Sequence, residues 1–318
     1  MKVVFLDAAT LPQALAFDDG LGIDYHPYDT TSPAEVGERI AGATVVITNK
    51  IRLDGGPLRA ARRLRLVAVA AAGTDNIDVE AAEALGIRVQ NVPDYGSESV
   101  AEHAIATLFA LRREIVTYAA AARDGRWTAS RHFCWTGPRI RDLGGSRFGI
   151  VGRGRIGEAA ARLARGVGMT VHFAQTPGTA CKDDELPLDD ILSQSDAITL
   201  HVPLTPGTKG LINAESLARM KPDAVLINTG RGALVDPAAL ADALRSGSIA
   251  GAAIDVLEVE PPASGHPLID GNVPNLLLTP HVAWASDRAQ ARLATRLQEL
   301  VTQQARLSST RHPPETNP

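Results

Sequence analysis

Phe148-Gly149-Ile150-Val151-Gly152-Arg153-Gly154-Arg155-Ile156-Gly157-Glu158-Ala159-Ala160-Ala161-Arg162-Leu163-Ala164 is the stretch that decides the fold. A short apolar run meets glycines spaced G-x-G-x-x-G, and an alanine-rich helical segment follows at once. Such glycines alone mark many turns. Between a strand and a helix they read as the turn of a dinucleotide-binding unit. Gly152 permits the tight turn, Gly154 lets the backbone approach a pyrophosphate, and Gly157 lets helix and strand pack closely. The helix Glu158 to Ala164 then opens, and its N–H groups and positive end suit an anion.

Working outward, short apolar runs alternate with helical patterns on both sides of this turn. Before it come Val3 to Leu6, Val45 to Thr48, Leu66 to Ala70 and Ile87 to Val89; after it come Thr170 to Ala174, Ala197 to Leu200, Ala224 to Asn228, Ile249 to Asp255 and Leu276 to Thr279. Alternation of this kind predicts βαβ units, and runs such as Leu66-Val67-Ala68-Val69-Ala70 suit parallel strands buried on both faces. Asp78 and Gly86 bracket one helix as N-cap and C′ residue. A long alanine-rich helix is expected from Ser97 to about Arg123, then an irregular segment from Asp124 to Leu143. The fold class is α/β with two doubly wound parallel sheets. Asp287 to Leu307 should form a closing helix, and the polar, proline-rich tail from Ser308 to Pro318 should fray.

Composition narrows the function. The chain has 318 residues, enough for two domains. Its formal net charge of −4 gives no drive toward phosphate backbones or anionic lipid. The densest basic cluster, Arg59, Arg62, Arg63 and Arg65, lacks interleaved aromatics and reads as a solvated helix face, so no nucleic-acid partner is expected. Cys134 and Cys181 stand far apart without further ligands at metal spacing, which excludes a disulfide scaffold and a zinc site. No apolar run approaches the ~18 residues of a membrane span, and Asp7 arrives too early for a signal peptide. The sequence therefore reads as a soluble, cytoplasmic protein with no membrane partner.

Charged residues stand at three strand ends in the second half: Arg231 in Asn228-Thr229-Gly230-Arg231-Gly232, Glu260 in Leu257-Glu258-Val259-Glu260-Pro261, and His281 in Thr279-Pro280-His281-Val282-Ala283-Trp284. Ligands of open α/β sheets bind at such ends. Singly, each has a structural reading. At the end of the strand after the glycine turn, where an acid would hold the adenosine ribose, stands Gln175. It can hydrogen-bond a hydroxyl but lacks the charge that repels a 2′-phosphate, so NAD is favoured with NADP as the second choice. His201 reads equally as a nucleotide contact or a turn residue.

Taken in order, these segments resemble the D-isomer-specific 2-hydroxyacid dehydrogenase family. The resemblance covers nearly the whole chain. It takes in Ala72-Gly73-Thr74-Asp75-Asn76-Ile77-Asp78, Ser99-Val100-Ala101-Glu102-His103, the glycine turn, His201-Val202-Pro203-Leu204-Thr205 and the three strand-end segments. Phe133-Cys134-Trp135 and His281-Val282-Ala283-Trp284-Ala285-Ser286 look most like its glycerate dehydrogenase, or hydroxypyruvate reductase, branch. The resemblance implies a discontinuous, flavodoxin-like substrate domain, 1–98 plus 285–318, and a Rossmann nucleotide domain, 99–284, with the first closing over the second to exclude water.

It also implies roles. Hydride from the nicotinamide would attack the carbonyl carbon of a 2-oxo acid, hydroxypyruvate or glyoxylate favoured, to give the D-2-hydroxy acid. His281 would donate the proton, Glu260 would orient its ring and favour its charged form, and Arg231 would bind the substrate carboxylate. Backbone N–H groups near Ala72 and Gly73 would hold the carboxylate's other side, and Lys50 reads equally as a further first-domain contact or as a solvated loop lysine. Cofactor contacts are implied at Gly152, Gly154, Arg155, Ile156, Gly157, Gln175, His201, Pro203, Thr229, Gly230, Asp255 and Trp284. A homodimer is implied, paired through the long helix and the loop after it, where Ala119 to Ala122 permit close approach and Trp127 and Trp135 read as anchors or as core cover.

Departures from the family pattern are Gln175 for an acid, Arg153 for an apolar or aromatic residue, and a tail without the usual closing Asn-containing segment. Two other readings compete. One is a nucleotide-sensing binding protein, like the corepressors on this scaffold. The other is a formate or phosphite dehydrogenase, against which Glu260 speaks, since formate enzymes typically carry Gln there.

Overall fold

A computed structural model describes residues 1–309 except 177, 179–181 and 183. Cys181 and the tail from 310 onward, both singled out above, lie outside the described residues. The chain divides into two units, Met1–Gly96 with the C-terminal segment from Ala285, and Ser97–Trp284.

In the first unit β1 (Lys2–Phe5), β2 (Asp24–Pro27), β3 (Val45–Thr48), β4 (Leu66–Val69) and β5 (Arg88–Asn91) form a parallel sheet in the order β2-β1-β3-β4-β5. This is the flavodoxin-like order. β3 and β4 are wholly buried, as their near-continuous apolar runs require. The helix Val79–Ala84 is capped by Asp78, whose side chain accepts from the Ala81 N–H at 3.0 Å, and Gly86 follows with φ +70°. The closing helix, Asp287–Ser309, packs on β3 and β4. The sequence reading did not anticipate β2. Asp24-Tyr25-His26-Pro27 is a half-exposed edge strand, and Pro27 ends it where no ladder donor is needed.

In the second unit β6 (Arg147–Val151), β7 (Thr170–Ala174), β8 (Glu185–Leu186), β9 (Ala197–Leu200), β10 (Val225–Asn228), β11 (Gly251–Ile254) and β12 (Leu276–Leu278) form a seven-stranded parallel sheet. Its order, β12-β11-β10-β9-β6-β7-β8, is that of a Rossmann sheet with one strand added. One apolar cluster centres on Leu200, Leu226, Ile254 and Leu240, another on Phe148, Ile150, Ala160 and Leu108. Between β6 and β9 the strand order reverses, which opens a crevice at their carboxyl ends.

The long helix expected through Arg123 is broken. One helix runs Ser97–Arg112 and a second Ile115–Ala121, separated by Glu114 in left-handed backbone, φ +54°. Two contacts fix the break: Arg112 is buried and gives an N–H to the Asp142 carbonyl at 2.9 Å, and Thr117 donates to the Glu114 carboxylate at 3.0 Å. No helix among the described residues is long and apolar enough to cross a membrane.

Candidate active site

The glycine turn lies where β6 ends beside β9, at the switch point of the second sheet. Gly152 sits at φ +106°, and a Cβ there would fall 2.5 Å from the His201 carbonyl oxygen, so no other residue fits without moving β9's exit. A Cβ on Gly157 would fall 2.1 Å from the Gly152 carbonyl oxygen, while one on Gly154 would meet nothing within 4 Å. The turn is thus closed toward the protein at Gly152 and Gly157 and open at Gly154. Arg155 begins the helix Arg155–Gly166, whose N-terminus opens at this face.

Polar atoms without protein partners add to the same edge. The Thr229 hydroxyl and the His201 Nδ1 are buried and unpaired within the protein, at the ends of β10 and β9. His201 Nε2 pairs with the Thr199 hydroxyl at 3.1 Å, and burial holds its imidazole neutral, at about 4 against an ordinary 6.5. An open backbone turn, a helix N-terminus and unpaired polar atoms fit a pyrophosphate with its nucleosides. Pro203 follows His201 and is exposed, and Gly230 follows Thr229 so tightly that a Cβ would crowd the Leu200 carbonyl at 3.3 Å. Gln175 closes β7, its N–H donating to the Leu186 carbonyl at 2.8 Å.

Three further strand ends converge beside this edge. Asn228 shapes the turn after β10: its side-chain oxygen accepts from the Gly230 N–H at 3.1 Å and its amide donates to the Arg231 carbonyl at 2.9 Å. Arg231 is half-buried, with one N–H given to the Gly230 carbonyl at 2.9 Å. A Cβ on Gly232 would overlap the Leu257 carbonyl carbon at 1.9 Å, so this turn lies directly on the chain leading to Glu260. Glu260 takes the Leu257 N–H on Oε1 at 2.8 Å and faces the His281 Nδ1 with Oε2 at 2.5 Å. The two side chains are 30% and 25% exposed, enough for a ligand to reach them yet shielded enough to strengthen their bond. With Nδ1–H donating to the carboxylate, Nε2 remains for a reactant.

His281 has φ +55°, a conformation a non-glycine residue holds only when its surroundings enforce it. Asp255 enforces it. Its buried carboxylate accepts from the Thr279 hydroxyl at 2.5 Å and from the Val282 and Ala283 N–H groups at 3.0 Å each, and its carbonyl accepts from the His281 N–H at 2.8 Å. His103 Nε2 reaches the Thr279 hydroxyl at 3.1 Å, Ser99 donates to the Ala283 carbonyl at 2.7 Å, and the Trp284 indole N–H donates to the His281 carbonyl at 3.0 Å. The sequence reading named Asp255 and Trp284 only as cofactor contacts and missed that they build the His281 loop. Missed too was Asn228, although Asn two residues before glycine is a turn signal.

The first unit has its own switch point between β1 and β3. There the buried Asp7 carboxylate accepts N–H groups from Asn49 at 2.9 Å and Lys50 at 2.7 Å. Lys50 and Ala72 are exposed, Gly73 half-buried, and the Ala72 carbonyl accepts from Asn91.

The model of the family described as "D-isomer specific 2-hydroxyacid dehydrogenase, NAD binding domain" matches residues 105–283. The chain belongs to the D-isomer specific 2-hydroxyacid dehydrogenase family. This dehydrogenase is an oxidoreductase of 2-hydroxy acids that uses a nicotinamide dinucleotide. It is 46% identical over 298 residues to a glycerate dehydrogenase of Methylorubrum extorquens, covering 93% of each chain. It is 36% identical over 303 residues to a hydroxypyruvate reductase of Blautia hydrogenotrophica, covering 92% of this chain and 93% of that one. Among solved structures, the NAD-dependent formate dehydrogenase of Staphylococcus aureus in complex with NAD matches with TM-score 0.79 at 26% identity, covering 95% of this chain and 94% of that one.

Proposed function

We propose that the dehydrogenase reduces a small 2-oxo acid, hydroxypyruvate or glyoxylate favoured, to the D-2-hydroxy acid, with His281 as proton donor. The carrying observation is the 2.5 Å contact between Glu260 and His281 on a loop held in left-handed backbone. When bound, the reduced nicotinamide supplies a hydride to the carbonyl carbon. His281 gives the Nε2 proton to the oxygen that becomes the hydroxyl, and Glu260 offsets the imidazolium and fixes the ring. Arg231 binds the substrate carboxylate by its planar fork. Substrate contacts from Lys50, Ala72 and Gly73, in a substrate domain 1–98 plus 285–318, belong to the same proposal.

The glycine turn with Arg155 and Ile156 would hold the pyrophosphate. Gln175 and His201 with Pro203 would flank the adenosine side, and Thr229, Gly230, Asp255 and Trp284 the nicotinamide side, all within a nucleotide domain of residues 99–284. The relatives support the choice of substrate by their names, a glycerate dehydrogenase and a hydroxypyruvate reductase. Initial rates of NADH and NADPH oxidation with hydroxypyruvate, glyoxylate and pyruvate test this reading. Negligible turnover on all three, with a stoichiometric protein partner recovered, would favour a binding protein instead.

Cytoplasmic placement and a homodimer complete the proposal. Ile115, Val116, Trp127, Phe133 and Ile140 are all exposed, Phe133 by 92%, within one stretch of the second unit. Several exposed large apolar side chains in one stretch of chain suit a subunit interface. Trp135 instead packs edge-on against Tyr118 within the unit. Light scattering on the eluted protein distinguishes a mass of two chains from one.

A further inference from the structure

Gln175 leaves the end of β7 without the acid that, in dinucleotide folds, takes the ribose hydroxyl and repels a 2′-phosphate. Charge stands close by, contributed from elsewhere in the chain. Arg153, inside the glycine turn, lays its guanidinium carbon 4.7 Å from the centre of the Phe173 ring, and Phe173 precedes Gln175 by two positions on β7. Its Nε donates to Glu158 at 2.8 Å and its Nη1 to Asp184 at 2.5 Å. The guanidinium is therefore fixed by a ring on its face and a carboxylate on each of two edges. Asp184 and Glu158, in that order, strengthen its hold on its proton.

An unrestrained arginine here would be a phosphate clamp, since its planar fork matches phosphate oxygens. The restrained one is not. One cation and two carboxylates sum to −1, and neighbouring Lys182 is set against Glu185 at 3.9 Å. A 2′-phosphate entering this corner would meet net negative charge and arginine edges already engaged.

We propose that Glu158 and Asp184, by clamping Arg153 over Phe173, give this dehydrogenase a preference for NAD(H) over NADP(H) that Gln175 does not supply. The inference rests on the glycine turn being the pyrophosphate site. Removing the two carboxylate charges converts Arg153 from a neutralised strut into a 2′-phosphate ligand. By Coulomb's law at a few ångströms in a partly hydrated corner, each charge removed is worth about tenfold in affinity for a doubly charged phosphate.

The test is equilibrium binding, read by fluorescence titration with NADH and NADPH and by calorimetry with 5′-AMP and adenosine 2′,5′-bisphosphate, which need no turnover. The wild-type protein is expected to bind NADH at least tenfold more tightly than NADPH. Asp184→Asn alone, and with Glu158→Gln, should move that ratio toward NADPH by at least tenfold in the double variant. Adding Arg153→Ala should return it. A wild-type preference for NADPH, or an unmoved ratio in a double variant that still binds NADH, overturns the inference while leaving the cofactor site standing. Binding of neither dinucleotide by the wild-type protein brings down the cofactor reading and the inference with it.

Discussion

Glu260→Gln isolates the charge on the residue behind His281. Glutamine keeps the size of the side chain but not its two equivalent acceptors. In the native site Oε1 accepts the Leu257 N–H at 2.8 Å while Oε2 accepts from His281 Nδ1 at 2.5 Å. If the amide oxygen keeps Leu257, the NH2 group faces Nδ1, so the ring must accept there and hold its proton on Nε2 as a neutral tautomer. If the amide turns over, the NH2 group meets the Leu257 N–H, donor against donor. Either arrangement forfeits a charge-assisted bond worth about 1.5–3 kcal/mol. Most of that figure applies here, because both side chains are less than a third exposed. The loss corresponds to roughly a ten- to 150-fold fall in kcat/KM. The assay is the decrease in NADH absorbance with hydroxypyruvate at saturating cofactor, beside a fluorescence titration confirming that NADH still binds. A folded Glu260→Gln protein within threefold of wild-type kcat/KM would refute the role given to the pair.

Other perturbations follow from the same geometry. Gly157→Ala places a methyl 2.1 Å from the Gly152 carbonyl oxygen, so the turn must open; overpacking of about 1–3 kcal/mol should lower Tm by several degrees and weaken NADH binding at least tenfold, measured by scanning fluorimetry and titration. Retained affinity would show that this turn is not the cofactor cradle. His201 titrates at about 4 in the folded protein against about 6.5 unfolded, so between those values the unfolded chain binds the proton that the folded chain refuses, and stability falls as pH drops through the window. Urea unfolding of the wild-type protein should lose about 2 kcal/mol between pH 7 and pH 5 from this group, a loss that His201→Gln should lack. An equal loss in both proteins would place the His201 ring outside the buried setting described.

The sheets were legible because parallel strands buried on both faces are apolar along most of their length. Val45 to Thr48, Leu66 to Val69, Ala197 to Leu200 and Val225 to Asn228 all read that way and all form buried strands. β2 escaped notice because an edge strand with one polar side, ending in Pro27, carries no such run. The break at Glu114 escaped for a different reason. Alanine-rich sequence favours helix locally, and the left-handed residue is fixed by Arg112 reaching Asp142, a contact across 30 positions.

Gly152, Gly154 and Gly157 could be read from spacing, because each answers a local steric demand between one strand and one helix. Glu260 and His281 stand 21 positions apart, and nothing local in either segment predicts their contact. Their pairing came from resemblance alone. Asp255 shows the limit most clearly: an acid at a strand end reads as a ligand contact, and nothing in its position foretells that both of its oxygens also serve the loop that carries His281. Arg153 stood out as a charge in an apolar position, but its partners Glu158 and Asp184 became visible only in three dimensions.

The most direct test of His281 as proton donor compares the wild-type protein with His281→Asn, since Asn accepts the left-handed backbone that His281 occupies and so removes the imidazole with least disturbance to the loop. Initial rates of NADH oxidation would be measured with hydroxypyruvate, glyoxylate and pyruvate, and NADH affinity by fluorescence. The wild-type protein is expected to reduce at least one acid rapidly and the variant to lose at least a hundredfold, with NADH bound by both. Turnover undiminished in the variant, or no acid reduced by a wild-type protein that binds NADH, would contradict that role.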